Sequence, residues 1–242
     1  MVNIYMNRFL VSKHIKEYIM LFLLVLLLVL GTFVVYKAVS SLQTLSNNNR
    51  YTVVIDSGHG GIDPGKVGIN GAYEKDINLA ISLELKKKIS KAGCNVIMTR
   101  ESDTGLYKDG DANKKVSDLR RRVEIMNSQK PDVIISVHQN SFTQESSKGA
   151  QVFYQTASAE GKKLAELMQE QLMEDLDKDN HRIAKPNSDY YILKNTTETA
   201  IIVECGFLSN TEEAALLCSR EYQEKVAQSI SDGIMKYLKE GN

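Results

Sequence analysis

Four short segments, far apart in the chain, carry the parts of a hydrolytic zinc site. They are Ser57-Gly58-His59-Gly60-Gly61, Glu74, Ser136-Val137-His138-Gln139-Asn140 and Val203-Glu204-Cys205-Gly206-Phe207. Two imidazoles and a carboxylate can hold a zinc ion and leave one coordination position for water. A second carboxylate can then act as base. Each of these residues stands at the end of a strand-like run or the start of a helical one. That is where α/β proteins build their sites.

Taken singly, each residue also has a plainer reading. His59 follows a strand pattern within glycines, which expose the imidazole and let backbone approach a ligand. The alternative, a glycine-rich anion loop, lacks both GxGxxG and a GK[ST] ending. Glu74 opens a helix, and alone it would be read as favourable charge at a helix N-terminus. His138 ends the most hydrophobic strand of the domain, where a buried structural histidine is the competing reading. Glu204 follows Ile201-Ile202-Val203, and a carboxylate at the tip of an apolar strand is costly to bury without a partner or metal. Of the other histidines, His14 precedes a long apolar segment and His181 lies in the polar stretch Lys178–Arg182, read as surface or substrate-facing.

The elements that must position these residues alternate in type. Tyr51–Asp56 is β-rich and ends in glycines. Ile77, Ile81, Leu85 and Ile89 recur on one helical face, and Gly93 closes that helix. Asn95–Thr99 is the next strand. Leu119, Val123 and Met126 mark a helix that ends near Pro131. Asp132–His138 is a nearly continuous apolar strand, as in a sheet covered on both faces. Ala150–Tyr154, Tyr190–Leu193 and Ala200–Val203 read as further strands. Leu164, Met168 and Leu172 mark one more helix, and Tyr222, Val226, Ile230, Ile234 and Leu238 the last. The alternation predicts an α/β fold: a twisted, mainly parallel (mixed) sheet of about six strands with helices on both faces.

Ahead of this domain, residues 18–36 carry no charge. As a helix they would span about 28 Å, close to the hydrocarbon thickness of a bilayer. Arg8, Lys13 and Lys16 precede the run, which puts residues 1–17 in the cytoplasm and the rest outside. A retained anchor is the favoured reading. A cleaved signal is the alternative, since Ala38-Val39-Ser40 has cleavage-like spacing. Residues 37–50 read as a polar linker and 51–242 as the catalytic domain. The net charge is zero, tryptophan is absent and aromatics make up 7%. That combination speaks against nucleic-acid binding by charge or by stacking. Three cysteines make no disulfide framework, and buried free thiols are expected, Cys94 and Cys205 lying in apolar runs.

With the residues in view, the exported domain resembles the zinc-dependent N-acetylmuramoyl-L-alanine amidases of the Amidase_3 family. The resemblance rests on VVIDSGHGGIDPG, the following Glu74, TRESD, LRRRVEIMN, PDVIISVHQNS, GAQVFY, YILKNT and IIVECGFLSN, in matching order over roughly 51–240. It implies that His59, Glu74 and His138 bind Zn2+, that Glu204 is the catalytic carboxylate, and that Arg122 and Asn127 are structural. Asn140 is a candidate for contact with substrate. The layout, one catalytic domain behind a hydrophobic segment, is most similar to the spore-cortex (germination-specific) amidases. Three features depart from the family. Thr196–Ala200 lacks a proline often found before the catalytic strand. There is no long autoinhibitory insertion after Phe153-Tyr154, and no wall-binding module.

The implied reaction is cleavage of the amide between muramic acid's lactyl group and L-alanine in peptidoglycan, in cortex enzymes ahead of muramic-lactam formation. The rival readings are a zinc peptidase acting on the stem peptide and a wall-binding protein without turnover. Lacking a built-in restraint, the enzyme is expected to be controlled from outside its chain. An exported activating protein that binds the metal-loaded state would do so, with expression timing as the plainer alternative.

Overall fold

The computed structural model of the protein describes residues 17–37 and 51–240. The expectations for residues 1–16 and for the 38–50 linker, including His14 and Ala38-Val39-Ser40, lie outside the described residues.

The chain falls into two units, 1–48 and 49–242. In the first, the uncharged run forms helix α1 (Glu17–Lys37), of mean hydropathy 2.9 over its apolar window.

The second unit contains strands β1 (Thr52–Ser57), β2 (Asn95–Met98), β3 (Val133–Asn140), β4 (Gln151–Gln155), β5 (Lys185–Asn187) and β6 (Ala200–Phe207). Its helices are α2 (Glu74–Lys91), α3 (Lys114–Ser128), α4 (Ala159–Asp175), α5 (Tyr191–Asn195), α6 (Thr211–Leu217) and α7 (Arg220–Glu240). They form one sheet in the order β2-β1-β3-β6-β4-β5. The first four strands are parallel, β4 is antiparallel to β6, and β5 runs with β4. The mixed sheet is thus as expected, with the candidate residues on its central strands.

Strand alternation sorts the core into two layers. Val53, Ile55, Ile135 and Val203 pack with α2, α4 and α7. Val54, Ile134 and Ile202 pack with Val123 and Met126 of α3 and with Ile192 and Leu193 of α5. All eight residues of β6 are buried, which accounts for the apolar run Ala200–Val203 and makes the buried Glu204 that follows it the exception. Helix α2 ends as its sequence predicts. Gly93 takes φ 88°, and the Gly93 and Cys94 amides close on Ser90 and Ile89 in a Schellman cap.

Two expectations are corrected. Tyr190–Leu193 is not a strand: Tyr191–Asn195 is the short helix α5. Asn187 Oδ1 accepts the amides of Asp189 and Tyr190, turning the chain into that helix. One helical turn then buries the adjacent pair Ile192 and Leu193 on the same layer, whereas a strand would send them to opposite faces. The sixth strand is instead Lys185-Pro186-Asn187, at the sheet edge, the place where a strand tolerates a proline that lacks an N–H. Helix α6, capped by Asn210 on Glu213 N, is an element the periodicity did not reveal. All three cysteines are free. Cys94 and Cys205 are buried, but Cys218 is exposed.

Candidate metal centre and active site

The three parallel strands β1, β3 and β6 end side by side, and each contributes one element of the site. His59 stands two residues beyond β1, His138 lies within β3, and Glu204 lies opposite His138 in the β3–β6 register. Glu74 enters from the first residue of α2 and is buried. One ligand atom from each of His59, Glu74 and His138 falls within 4.8 Å of the others. Glu74 Oε1 lies 3.2 Å from His59 Nε2 and 3.0 Å from His138 Nδ1. Ligand atoms about 2.1 Å from a tetrahedral zinc stand about 3.4 Å apart, so both contacts are a little shorter than tetrahedron edges. The two rings meet edge to face, with centroids 5.0 Å apart at 80°.

Glycines make this approach sterically feasible. A Cβ at Gly58 would lie 2.3 Å from His138 Cε1, and one at Gly65 would lie 2.6 Å from Glu74 Oε2. His59 itself adopts φ 62°, a left-handed conformation uncommon outside glycine. Its backbone is held there by two arginines. Fully buried Arg122 donates to Ser57 O at 2.7 Å and His59 O at 2.5 Å, and pairs with Asp56 at 2.7 Å and Asp118 at 2.6 Å. Arg100 donates to Ser57 O at 2.9 Å, Gly58 O at 2.9 Å and Lys75 O at 2.8 Å. The second Asp56 oxygen accepts Ser136 Oγ at 2.6 Å, tying β3 to the same node. Burial pushes the Asp56 carboxyl up, but Arg122 and the hydroxyls of Ser136 and Thr99 outweigh it and hold it at about 2. The structural role expected of Arg122 is therefore concrete: it fixes the loop that carries His59. Asn127 likewise acts as a brace. It donates to Asn195 O at 3.0 Å and accepts Thr197 N at 3.1 Å, so α3 secures the proline-free segment ahead of β6.

The supporting contacts fix ring orientation and charge. Asp63 Oδ2 lies 2.9 Å from His59 Nδ1, which leaves Nε2 facing Glu74. Glu74 Oε1 also accepts Gln139 N at 3.1 Å, and Oε2 accepts Lys66 N at 2.8 Å. Burial works against ionising Glu74, yet the hydrogen bonds to His138 and His59 prevail and hold its pKa far below the ordinary range. Glu204 is the opposite case. It is 8% exposed, and its Oε2 has no hydrogen-bond partner among the described residues. Burial pushes its carboxyl up to about 7; the His138 charge opposes this and the Glu74 carboxylate adds to it. The first residue of α2 and the end of β6 thus present a fixed anion and a carboxyl poised near neutrality, the separation a ligand and a general base require.

Glu204 and His138 face a cavity of about 160 Å³ lined also by Leu119, Tyr190, Tyr191, Ile192 and Ile202. The tyrosines sit where the sequence suggested a strand, so their place at the site was not legible. Asp63 was within a quoted motif, but only the fold shows it seated on His59. Asn140 is not part of that lining, and its Oδ1 accepts the neighbouring Ser141 amide at 2.8 Å. His181 lies elsewhere, beside Glu166, Glu170 and Arg182 at a cavity flanking α4.

Comparison with known proteins follows the same elements. The family model for N-acetylmuramoyl-L-alanine amidase matches residues 53–236. The germination-specific N-acetylmuramoyl-L-alanine amidase of Bacillus subtilis (strain 168) is 39% identical over 191 residues, which are 78% of this chain and 80% of that protein. The N-acetylmuramoyl-L-alanine amidase LytC of the same organism is 30% identical over 190 residues, 78% of this chain but 36% of that protein. Among solved structures, the CwlD amidase from Clostridioides difficile, determined in complex with the GerS lipoprotein, is 42% identical with a TM-score of 0.76, over 78% of this chain and 99% of that one. The matched span runs from the first strand into the last helix and takes in every element that carries the cradle; this chain belongs to the N-acetylmuramoyl-L-alanine amidase family.

Proposed function

We propose that the chain is a zinc-dependent amidase cutting the bond between N-acetylmuramic acid and the L-alanine of the stem peptide, with a role in the spore cortex. The observation that carries this reading is the His59–Glu74–His138 cradle beside a buried carboxyl whose Oε2 has no described partner. The donor set fits zinc, as do the two Glu74–histidine distances of 3.2 and 3.0 Å. When bound there, zinc would supply the Lewis acid that activates water and polarises the lactyl carbonyl. Asp63 holds the His59 tautomer that offers Nε2 inward. Glu204 takes the attacking water's proton and returns it to the departing alanine nitrogen. A cation held by His59, Glu74 and His138 would lower the Glu204 pKa from its buried value and favour the ionised base at neutral pH. Asn140 remains the proposed polar contact for substrate at the end of β3.

Helix α1 supports an anchor or uncleaved signal over 18–36, with 1–17 on the cytoplasmic side and the 51–242 domain outside the cytoplasm, at the forespore envelope. The association of the Clostridioides difficile relative with a lipoprotein supports an exported activating partner for this chain as well. Digestion of purified peptidoglycan by the zinc-loaded protein, with and without envelope extract of the source cell, tests the activity. Free stem peptides with N-terminal alanine are expected. Cleavage inside the peptide points to a peptidase, and binding without product to a wall-binding protein; either refutes the proposal.

A further inference from the structure

The space around the cradle is a trough with two unlike arms. One arm is apolar and aromatic, lined by Leu119, Tyr190, Tyr191 and Ile192. It shares Leu119, His138 and Ile192 with a narrow cleft of about 50 Å³ over His59. That cleft in turn shares Asp63, Lys115 and Asp118 with a second arm of about 170 Å³, reaching Tyr107 and Ile62. Lys115 thus lines both the cleft and the charged arm. Its Nζ lies 3.4 Å from Asp63 Oδ2, the same oxygen that is 2.9 Å from His59 Nδ1. With its side chain 65% exposed, that ion pair is weak and exchangeable. Arg122 in the cleft is already committed to Asp56 and Asp118, and Lys114 sits 5.1 Å over the Tyr107 ring. The first turn of α3 carries Lys114 and Lys115 and no acid, an arrangement that works against the helix dipole, so helix stability does not account for it.

We infer that Lys115 is a specificity determinant that binds a free carboxylate on the second residue of the stem peptide. This places the peptide in the Lys115 arm and the sugar against Tyr190 and Tyr191, and it rests on the amidase reading above. The bond to be cut joins an uncharged lactyl-sugar to a peptide, so the ionised groups of the substrate all lie on one side of it. Asp63 and Asp118 also line the second arm, but Asp63 is held by His59 and the Gly65 amide and Asp118 by Arg122 and the Leu106 amide, which leaves Lys115 as the exchangeable charge there to meet them. A pyranose presents C–H faces and an acetyl methyl, which suit aromatic and apolar walls. Reach selects the residue. The shared Asp63 oxygen keeps the Lys115 ammonium within about 11 Å of a metal on His59 Nε2. A glutamate in second place, joined onward through its side chain, keeps its α-carboxylate about 7 Å from the scissile nitrogen. Charges on the third residue lie farther out, beyond that extra side-chain linkage.

The test uses two synthetic muramyl-peptide substrates, alike except that the second residue carries an α-carboxylate or an α-carboxamide. For Lys115→Met, kcat/KM on the carboxylate substrate is expected to fall about tenfold, mostly through KM, the scale of one charge-assisted contact. The carboxamide substrate, zinc content and Tm stay at wild-type values, and Lys115→Arg restores the preference. Equal losses on both substrates, with reduced zinc content, would mean that Lys115 acts only through Asp63 and His59 and would overturn the inference. No loss on either substrate would overturn it too. Wild-type enzyme that releases N-terminal alanine from neither substrate would overturn the amidase reading, and this assignment with it.

Discussion

Replacing Gly58 by alanine should empty the cradle without unfolding the domain. The added Cβ would lie 2.3, 2.4 and 2.7 Å from His138 Cε1, Nε2 and Nδ1. Carbon contacts are comfortable at about 3.5–4.0 Å, so ring and backbone must separate by about 1 Å or more. The backbone at Gly58 is poorly placed to give way. Its N–H donates to Val137 O at 3.1 Å, and its carbonyl accepts Arg100 Nη2 at 2.9 Å and Asn78 Nδ2 at 3.1 Å. The imidazole must move instead, whereas zinc–nitrogen distances tolerate only about 0.2 Å. Disturbing partners outside the ligand set commonly costs about 10- to 100-fold in metal affinity; displacing a ligand itself should cost at least the upper figure. Purified Gly58→Ala should therefore hold well under one zinc per chain and lose turnover, with a native far-ultraviolet spectrum. Binding to the native state raises its stability by mass action, so a chelator should lower Tm for wild type and leave the variant nearly unmoved. A variant that keeps full zinc content and near-normal kcat would refute the proposed placement of the metal at His138.

Glu204→Gln should keep fold and zinc, and lose about 10²–10⁴-fold in turnover, because the amide cannot accept the water proton; single-turnover peptide release reads this directly. Arg122→Met leaves Asp56 buried without its partner and should cost about 3–5 kcal/mol in urea unfolding, with activity lost as the His59 loop relaxes. Asp56 has a folded pKa of about 2, depressed from 3.8. Its contribution, about 2 kcal/mol, is full above the unfolded value and fades as pH falls from about 4 towards 2. Urea midpoints measured from pH 6 down to 2.5 should drop less steeply in Asp56→Asn, from a lower starting stability; parallel curves would exclude Asp56 as a source of the acid sensitivity.

The residue types of the cradle were legible because strands and helices announce their ends. His138 closes an apolar run and Glu204 another, and a glycine-flanked histidine after a β-rich segment has few structural uses. The three central parallel strands β1, β3 and β6 were legible for the same reason: burial on both faces writes itself as runs of Val and Ile. The elements misread were those whose local pattern is overruled by distant contacts. Tyr190–Leu193 has strand-like residue types, but Asn187 turns the chain and the α3 layer buries Ile192 and Leu193 together. Pro186 hides an edge strand that needs no amide on its open side. Sequence named the candidate ligands; only the tertiary structure could bring them together. His59 holds its left-handed backbone because Arg100 and Arg122, from remote segments, bind the carbonyls around it. Its ring is turned by Asp63, and His138 approaches because Gly58 has no side chain. Spacing along a chain records which side chains are available, whereas their distances and charges depend on packing between elements, and that is where the proximity of Tyr190, Asp63 and Lys115 to the site was decided.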